Sequence, residues 1–402
     1  MDLPAVPSAL LDALKAAAIE AGLPRLALVG GVVRDLLLHQ RHGRPWQGVP
    51  DLDWVVEGSA ARLAEVLLNQ CGPERVTAVQ HHDQFGTVAL KLDGVPVDLA
   101  TAREEHYPAP GANPVVQQGS LEADLVRRDF TINAMALELI SGELIDPHGG
   151  QVDLAAGRLQ FLHPGSVSDD PTRVVRAARY AARLDFHLAD DSLEQLQHTL
   201  ECWPWSTGNA GGKAPPALST RLRMELDRLL QREPWEEALS LLQSWSAMAL
   251  VDPALQDDLP WRQRLTGACR LRVPLLPALL LGAADPLEVA KRLDLPGQQT
   301  KVLGQCRDLL AWLPEHAPPP GAPPSQWCRA LEGSGWSAEA VVLAVCHRPA
   351  EWRLLLRWWG RWRHVRSPLT AAELIDAGWS PGPGLGAELS RLRLQRIDQE
   401  GR

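Results

Sequence analysis

The sequence predicts an α/β head followed by an all-α body, and three observations predict it. Short β-like runs alternate with helical stretches over residues 1 to about 150, the signature of an α/β layer arrangement. From Pro171 onward the pattern is helical, with 173–184 and 220–230 rich in Ala, Leu and Arg at helical spacing. Two breaks, 205–216 with Gly, Pro, Ser and Asn and 316–324 with five prolines, read as loops or linkers, because such runs hold no regular ladder.

Taken in order, 26–29 reads as a strand that enters Gly30-Gly31 and then a helix carrying Arg34. Residues 53–56 read as a second strand, 60–69 as a helix, and 87–92 and 95–99 as further strands. His81-His82-Asp83 reads as a turn, since a local His-Asp pair without partner histidines downstream does not make a hydrolase centre. Residues 103–122, with Pro108, Pro110, Gly111 and Pro114, read as a loop.

Composition bounds the function classes. A length of 402 residues at 45% hydrophobic suffices for two or three domains with a sizeable core. Apolar stretches such as 275–281, interrupted by Pro277, fall far short of the roughly 20 residues that span a bilayer, so no membrane partner is expected. The N-terminus lacks the basic start and apolar block of a signal peptide, so a soluble, cytoplasmic protein is expected. The six cysteines show no C-x-x-C pair and read as small buried hydrophobes. A net charge of −9 argues weakly against a nucleic-acid partner, but the arginines cluster locally and can override the sum.

Four polar clusters carry the chemistry. Gly30-Gly31 followed by Arg34 permits close backbone approach to a phosphate and supplies positive potential, which suits a triphosphate; a plain strand-to-helix turn is the other reading. Asp51 and Asp53, two apart on a strand, aim their carboxylates to one side, as a Mg²⁺ site for hydroxyl activation requires, whereas D-x-D alone also suits a solvated turn. Asp98 is a candidate third carboxylate. In the third cluster, Asp129 and Asn133 would share a face if their segment were helical and could bind a ribose hydroxyl, with Arg128 on a phosphate or base. In the fourth, Asp170 before Pro171 reads as a helix cap, and Arg173, Arg176 and Arg179 form a stripe that is easier to understand beside an anion than beside water. A carboxylate with a guanidinium can also hydrogen-bond a base edge and so choose a nucleotide.

In this order, Gly30-Gly31-x-x-Arg34-Asp35, Asp51-x-Asp53, Arg127-Arg128-Asp129-Phe130-Thr131-x-Asn133-Ala134 and Asp169-Asp170-Pro171-x-Arg173 resemble the class II tRNA nucleotidyltransferase and bacterial poly(A) polymerase family. The resemblance is strong over residues 27–184 and weaker afterwards, where Arg221, Glu225-Leu226 and the segment 374–386 are similar to family elements. It implies a nucleotidyltransferase head over 1–150 with a mixed sheet flanked by helices. A helical neck over 151–215 with a nucleotide-recognition helix and an all-α body and tail over 216–402 that contacts tRNA would follow. It further implies one or two Mg²⁺ ions on Asp51 and Asp53, and triphosphate contacts from Gly30, Gly31 and Arg34. Nucleotide contacts fall to Arg128, Asp129 and Asn133, and base selection to Asp170 and Arg173, with Arg176 and Arg179 in support. The substrates implied are ATP, CTP and the tRNA 3′ end; no protein partner is indicated. The family usually has Glu where Asp169 stands, which puts in doubt whatever contact that glutamate makes.

The alternatives are a poly(A) polymerase and a catalytically silent RNA-binding relative. The acidic net charge favours the tRNA enzyme over the first, and two intact aspartates that would repel RNA phosphate argue against the second. Trp352, Trp358, Trp359 and Trp362, interleaved with Arg353, Arg357, Arg361 and Arg363, read either as a helix with buried tryptophans or as an RNA-stacking surface.

Overall fold

The computed structural model describes residues 3–46, 48, 51–82, 86–201 and 216–400. The expected linker at 205–216 lies almost wholly outside the described residues, as do Asp83 and Cys202. Two compact units are formed, Met1–Ala247 and Met248–Arg402, so the seam expected at 215/216 falls inside the first unit.

The first unit opens with α1 (Ser8–Glu20), β1 (Arg25–Val29), α2 (Gly31–His42), β2 (Leu52–Glu57) and α3 (Ala60–Cys71). There follow β3 (Val76–His82), β4 (Thr87–Leu92), β5 (Val95–Thr101), β6 (Arg103–His106), β7 (Val115–Gln118) and α4 (Leu121–Val126). A 3₁₀ turn at Thr131–Asn133 leads to β8 (Ala136–Glu138) and β9 (Leu144–Ile145). Seven strands make a mixed sheet in the order β3-β4-β5-β2-β1-β8-β9, in which β2 and β5 run parallel and the other neighbours antiparallel. Alternation along the central strands covers both faces. Ala27, Val29 and Val55 pack against Leu121 and Leu125 of α4, while Leu26, Leu28, Trp54 and Val56 are buried on the other side, and α3 packs on α1, β4 and β5.

Three expectations are corrected. His81 and His82 lie in β3 at the sheet edge, paired with Val88 and Thr87, and not in a turn. The segment 103–122 is not a loop throughout: β6 and β7 form a two-stranded antiparallel hairpin, and α4 follows it. The segment of Asp129 and Asn133 is not an α-helix, because α4 ends at Val126 and only the 3₁₀ turn follows.

The chain continues through α5 (Gly150–Ala156), β10 (Arg158–Leu159), α6 (Ser166–Asp169), α7 (Thr172–Leu184), β11 (His187–Leu188) and α8 (Asp190–Glu201). The stretch expected to be all-α thus contains a short parallel strand pair, Arg158 against His187 and Leu159 against Leu188. Val174, Val175, Ala177, Ala178 and Ala181 of α7 are buried, and α7 packs on α9 (Pro216–Arg232) and α10 (Trp235–Ser244).

The second unit is helical: α11 (Trp261–Leu271), α12 (Leu275–Leu280), α13 (Pro286–Arg292), α14 (Gly297–His316), α15 (Pro324–Gly333), α16 (Ala338–His347), α17 (Trp352–Gly360), α18 (Ala371–Asp376) and α19 (Pro383–Glu400). The proline-rich break at 316–324 separates α14 from α15, as its composition requires. Cys306, Cys328 and Cys346 are buried, but Cys71 is half-buried and Cys269 exposed, so the expectation of buried cysteines holds for three of the described five. No described helix is long and apolar enough to cross a membrane.

Candidate active site

The site is built where β1 stops. Gly30 takes φ 76°, a left-handed value that favours glycine, and Gly31 opens α2. A Cβ on Gly30 would lie 3.2 Å from Arg128 Nη1 and 3.9 Å from Asp53 Oδ2. The first three clusters therefore meet at this turn.

Asp51 immediately precedes β2 and Asp53 lies on it, while the parallel pairing sets Asp98 of β5 opposite Asp53. All three are exposed. The Asp53 carboxyl is nevertheless pushed up to about 6, chiefly because protein atoms crowd it, with Asp98 and Asp51 adding to the shift and Arg128 opposing it. Among the described residues no group of three His, Cys, Asp or Glu side chains is placed to hold a metal ion, so Asp98 stands beside the Asp51/Asp53 pair without closing a set. The pair still fits a hard divalent cation, which commonly binds through one or two carboxylates and completes its shell with substrate phosphates and water.

Two openings border Asp53. A cleft of about 550 Å³ is lined by Gly31, Arg34, Asp51, Asp53, Tyr180 and Arg183 among others, and a smaller one of about 340 Å³ by Asp53, Asp98, Arg103, Arg127 and Arg128.

Arg34 of the first opening belongs to a hydrogen-bonded chain of charged side chains joined through the Asn133 amide. Arg34, 3% exposed, donates from Nε to Asp35 Oδ1 at 2.8 Å and from Nη1 to Asn133 Oδ1 at 2.7 Å. Burial works against its charge, yet Asp35, Tyr180 and Asp129 together hold the guanidinium above its ordinary value. Asn133 Nδ2 donates to Asp129 Oδ1 at 2.9 Å, and Asp129 Oδ2 accepts from Arg176 Nε at 2.9 Å. Burial alone would raise the Asp129 carboxyl, but Arg176, the Asn133 hydrogen bond and Arg173 bring it below the usual range. Asp129 and Asn133 thus do meet, through the 3₁₀ turn and not along a helix face.

The fourth cluster divides. Asp170 Oδ1 accepts from Thr172 N at 3.1 Å and from Thr172 Oγ1 at 2.7 Å, but the expected cap is corrected: α7 starts at Thr172, so Pro171 takes the N-cap place and Asp170 lies one residue before it. Arg173 donates to Arg127 O at 2.7 Å and to Ser166 O at 3.4 Å. Arg179 turns elsewhere: it bonds Glu225 and, at 2.9 Å, Glu233, so its anionic partner is internal. The shorter Asp169 carboxylate lies 3.8 Å from His163 Nε2, and burial together with Arg173 keeps that imidazole below its ordinary value.

Sequence reasoning missed Tyr180 and Arg183, which line the larger cleft, with Arg34 5.1 Å and Arg183 4.9 Å from the Tyr180 ring centroid. Their signal was helical spacing: both follow Arg176 on α7 by one or two turns.

Residues 26–160 match the family model of the poly A polymerase head domain. A CC-adding tRNA nucleotidyltransferase of Deinococcus radiodurans is 33% identical over 377 residues, covering 91% of this chain and 83% of that enzyme. This chain belongs to the class II tRNA nucleotidyltransferase family. This nucleotidyltransferase is also 37% identical over 244 residues to the A-adding tRNA nucleotidyltransferase of Aquifex aeolicus, covering 60% of this chain but only 27% of that longer enzyme. Its fold aligns with a solved apo form of a CCA-adding enzyme at TM-score 0.73 and 25% identity, over 99% of this chain and 94% of that one.

Proposed function

We propose that this nucleotidyltransferase adds C, A or both from CTP and ATP to the 3′ end of tRNA without a template, releasing pyrophosphate. The observation that carries the reading is the approach of Asp53 and Arg128 to the Gly30 turn, with Asp51 and Asp53 lining the larger cleft and Asp53 and Arg128 the smaller. One likeness that runs along both chains is to a CC-adding enzyme, which makes C addition the first activity to test.

Asp51 and Asp53 are the proposed ligands of one or two Mg²⁺ ions. Bound there, the metal would make the RNA 3′ hydroxyl a better nucleophile and stabilise the leaving pyrophosphate. Gly30 and Gly31 let a triphosphate approach the backbone at the start of α2, where helix amides and Arg128 favour anionic oxygens. Asp129 and Asn133 are engaged with each other and with Arg176 and Arg34, so they act by aligning those two guanidiniums. Arg173 keeps N–H donors beyond its two backbone bonds, and Asp170 Oδ2 lies no nearer than 3.7 Å to Arg221 and keeps its acceptor capacity. A donor and an acceptor side by side can read a base edge, so protein side chains take the place of a template. Arg183 and Tyr180 bound the same cleft and complete its wall. A tRNA substrate places the protein in the cytoplasm.

The test offers tRNA lacking one, two or three terminal nucleotides to the purified protein with CTP and ATP, singly and together, and sequences the products. Addition that stops at the native terminus supports the proposal. An unlimited A tail on any RNA would make it a poly(A) polymerase, the reading that the head-domain match alone would allow, and no incorporation would overturn both.

A further inference from the structure

Arg128 is held by a residue outside all four clusters. Asp124, on α4, is 0% exposed, and its Oδ2 accepts from Arg128 Nη2 at 2.9 Å. Its Oδ1 accepts from Arg127 Nε at 2.9 Å and Nη2 at 2.6 Å, so two guanidiniums share one buried carboxylate. A buried carboxylate with this many charge-assisted bonds has little freedom to move. The helix beneath it is pinned as well: Ser120 Oγ caps Ala123 N, and Glu57 Oε1 accepts from Leu121 N at 2.6 Å.

The arm that Asp124 holds is one end of a guanidinium whose other end is committed to nothing. Arg128 Nε is buried with no hydrogen-bond partner among the described residues, and Nη1 is the atom a Gly30 Cβ would approach to 3.2 Å. The same cation bears on Asp53. A guanidinium anchored through one nitrogen and unspent through the others, set against a phosphate-type turn, is preorganised for an anionic ligand.

We infer that Asp124 is a positioning residue for nucleotide binding, fixing Arg128 against the Gly30 turn so that its Nη1 meets the triphosphate. The inference rests on the proposed function. It is tested by nucleotide binding without RNA, so that its failure can be told from failure of that reading. The dissociation constant of ATP with Mg²⁺ is measured by calorimetry for the full chain, for Asp124→Asn, for Arg128→Ala and for the double variant. Asp124→Asn is expected to weaken binding about tenfold, roughly one charge-assisted hydrogen bond. If Asp124 acts through Arg128, the double variant binds no more than about twofold worse than Arg128→Ala alone, whereas a merely structural aspartate gives additive losses. Additive losses, or unchanged affinity in Asp124→Asn, would overturn the inference. Should Asp124→Asn fail to fold, the cycle is run with Asp124→Glu, which keeps the charge and displaces the guanidinium, and the same non-additivity is required. Wild-type protein that binds ATP but extends no RNA would refute the functional reading and leave the cycle interpretable.

Discussion

Two arginine-rich helices use the same residue in opposite ways. On α7 the arginines at 173, 176 and 179 all face internal acceptors: backbone carbonyls for Arg173, Asp129 for Arg176, and Glu225 with Glu233 for Arg179. On α17 Leu355 and Trp358 are buried, the latter at 4% exposure, while Trp352 and Trp359 are half-buried, Arg353 and Arg357 are exposed and Arg353 lies 4.7 Å over the Trp352 ring. Trp362, just beyond α17, is buried as well. Like charges at helical spacing repel, and the two helices resolve that cost differently. Buried carboxylates turn Arg176 and Arg179 into scaffold that aligns a site. Exposure leaves the α17 arginines to water or to an external polyanion.

The comparison breaks most visibly at Asp129. Asp129→Ala leaves Arg176 and Asn133 without their shared acceptor, and loss of one partner from a buried pair costs about 3–5 kcal/mol. Nucleotide incorporation is expected to fall by about a hundredfold, and a urea titration alongside single-turnover kinetics checks both effects. Arg179→Met separates scaffold from site. It leaves Glu225 with Arg228 at 2.6 Å and Glu233 with Arg183 at 3.6 Å, and should cost about 1–3 kcal/mol in the same titration, while KM for ATP stays within about twofold. A large KM effect would return Arg179 to the nucleotide.

On the other helix, Arg357→Ala should lower tRNA affinity by about threefold near 0.1 M salt and flatten its salt dependence. Stability should shift by no more than about 0.5 kcal/mol. Unchanged affinity would leave α17 as a helix with exposed charges and no RNA contact. The smallest effect is a pH slope. The Asp53 carboxyl is raised from 3.8 to about 6, so the folded protein holds that proton more tightly than the unfolded chain does. The resulting stabilisation is present below about pH 4 and lost as the pH rises through about 6. Asp53→Asn removes the slope and should raise the stability of the metal-free protein at pH 8 by about 1 kcal/mol, a figure discounted for the exposure of the group. Urea titrations at pH 4 and pH 8 measure it.

How much was legible in the sequence follows the same division between local pattern and tertiary partner. Strands with a buried face, such as β4 and β5, were read to within two residues because Val, Leu and Ala alternate along them. β3 was missed because it is an edge strand exposed at every position but Val76, and β6 and β7 because neither has a buried residue. The carboxylate pair and the glycine turn were legible as local motifs, since backbone geometry alone brings their atoms to one place. The partner of each α7 arginine was not, for Asp129, Glu225 and Glu233 lie 46 to 54 positions from them in the chain. Asp124 belongs to none of the four clusters and no helix was expected around it, and only the packing of α4 shows it fully buried.

The central claim is that Asp53 serves the chemistry and not the binding of RNA. Asp53→Ala should reduce nucleotide incorporation into truncated tRNA by at least about a thousandfold while tRNA affinity, read by filter binding on the same samples, stays within about twofold. Turnover near the wild-type rate would contradict the assignment of the aspartate pair and, with it, the proposed mechanism.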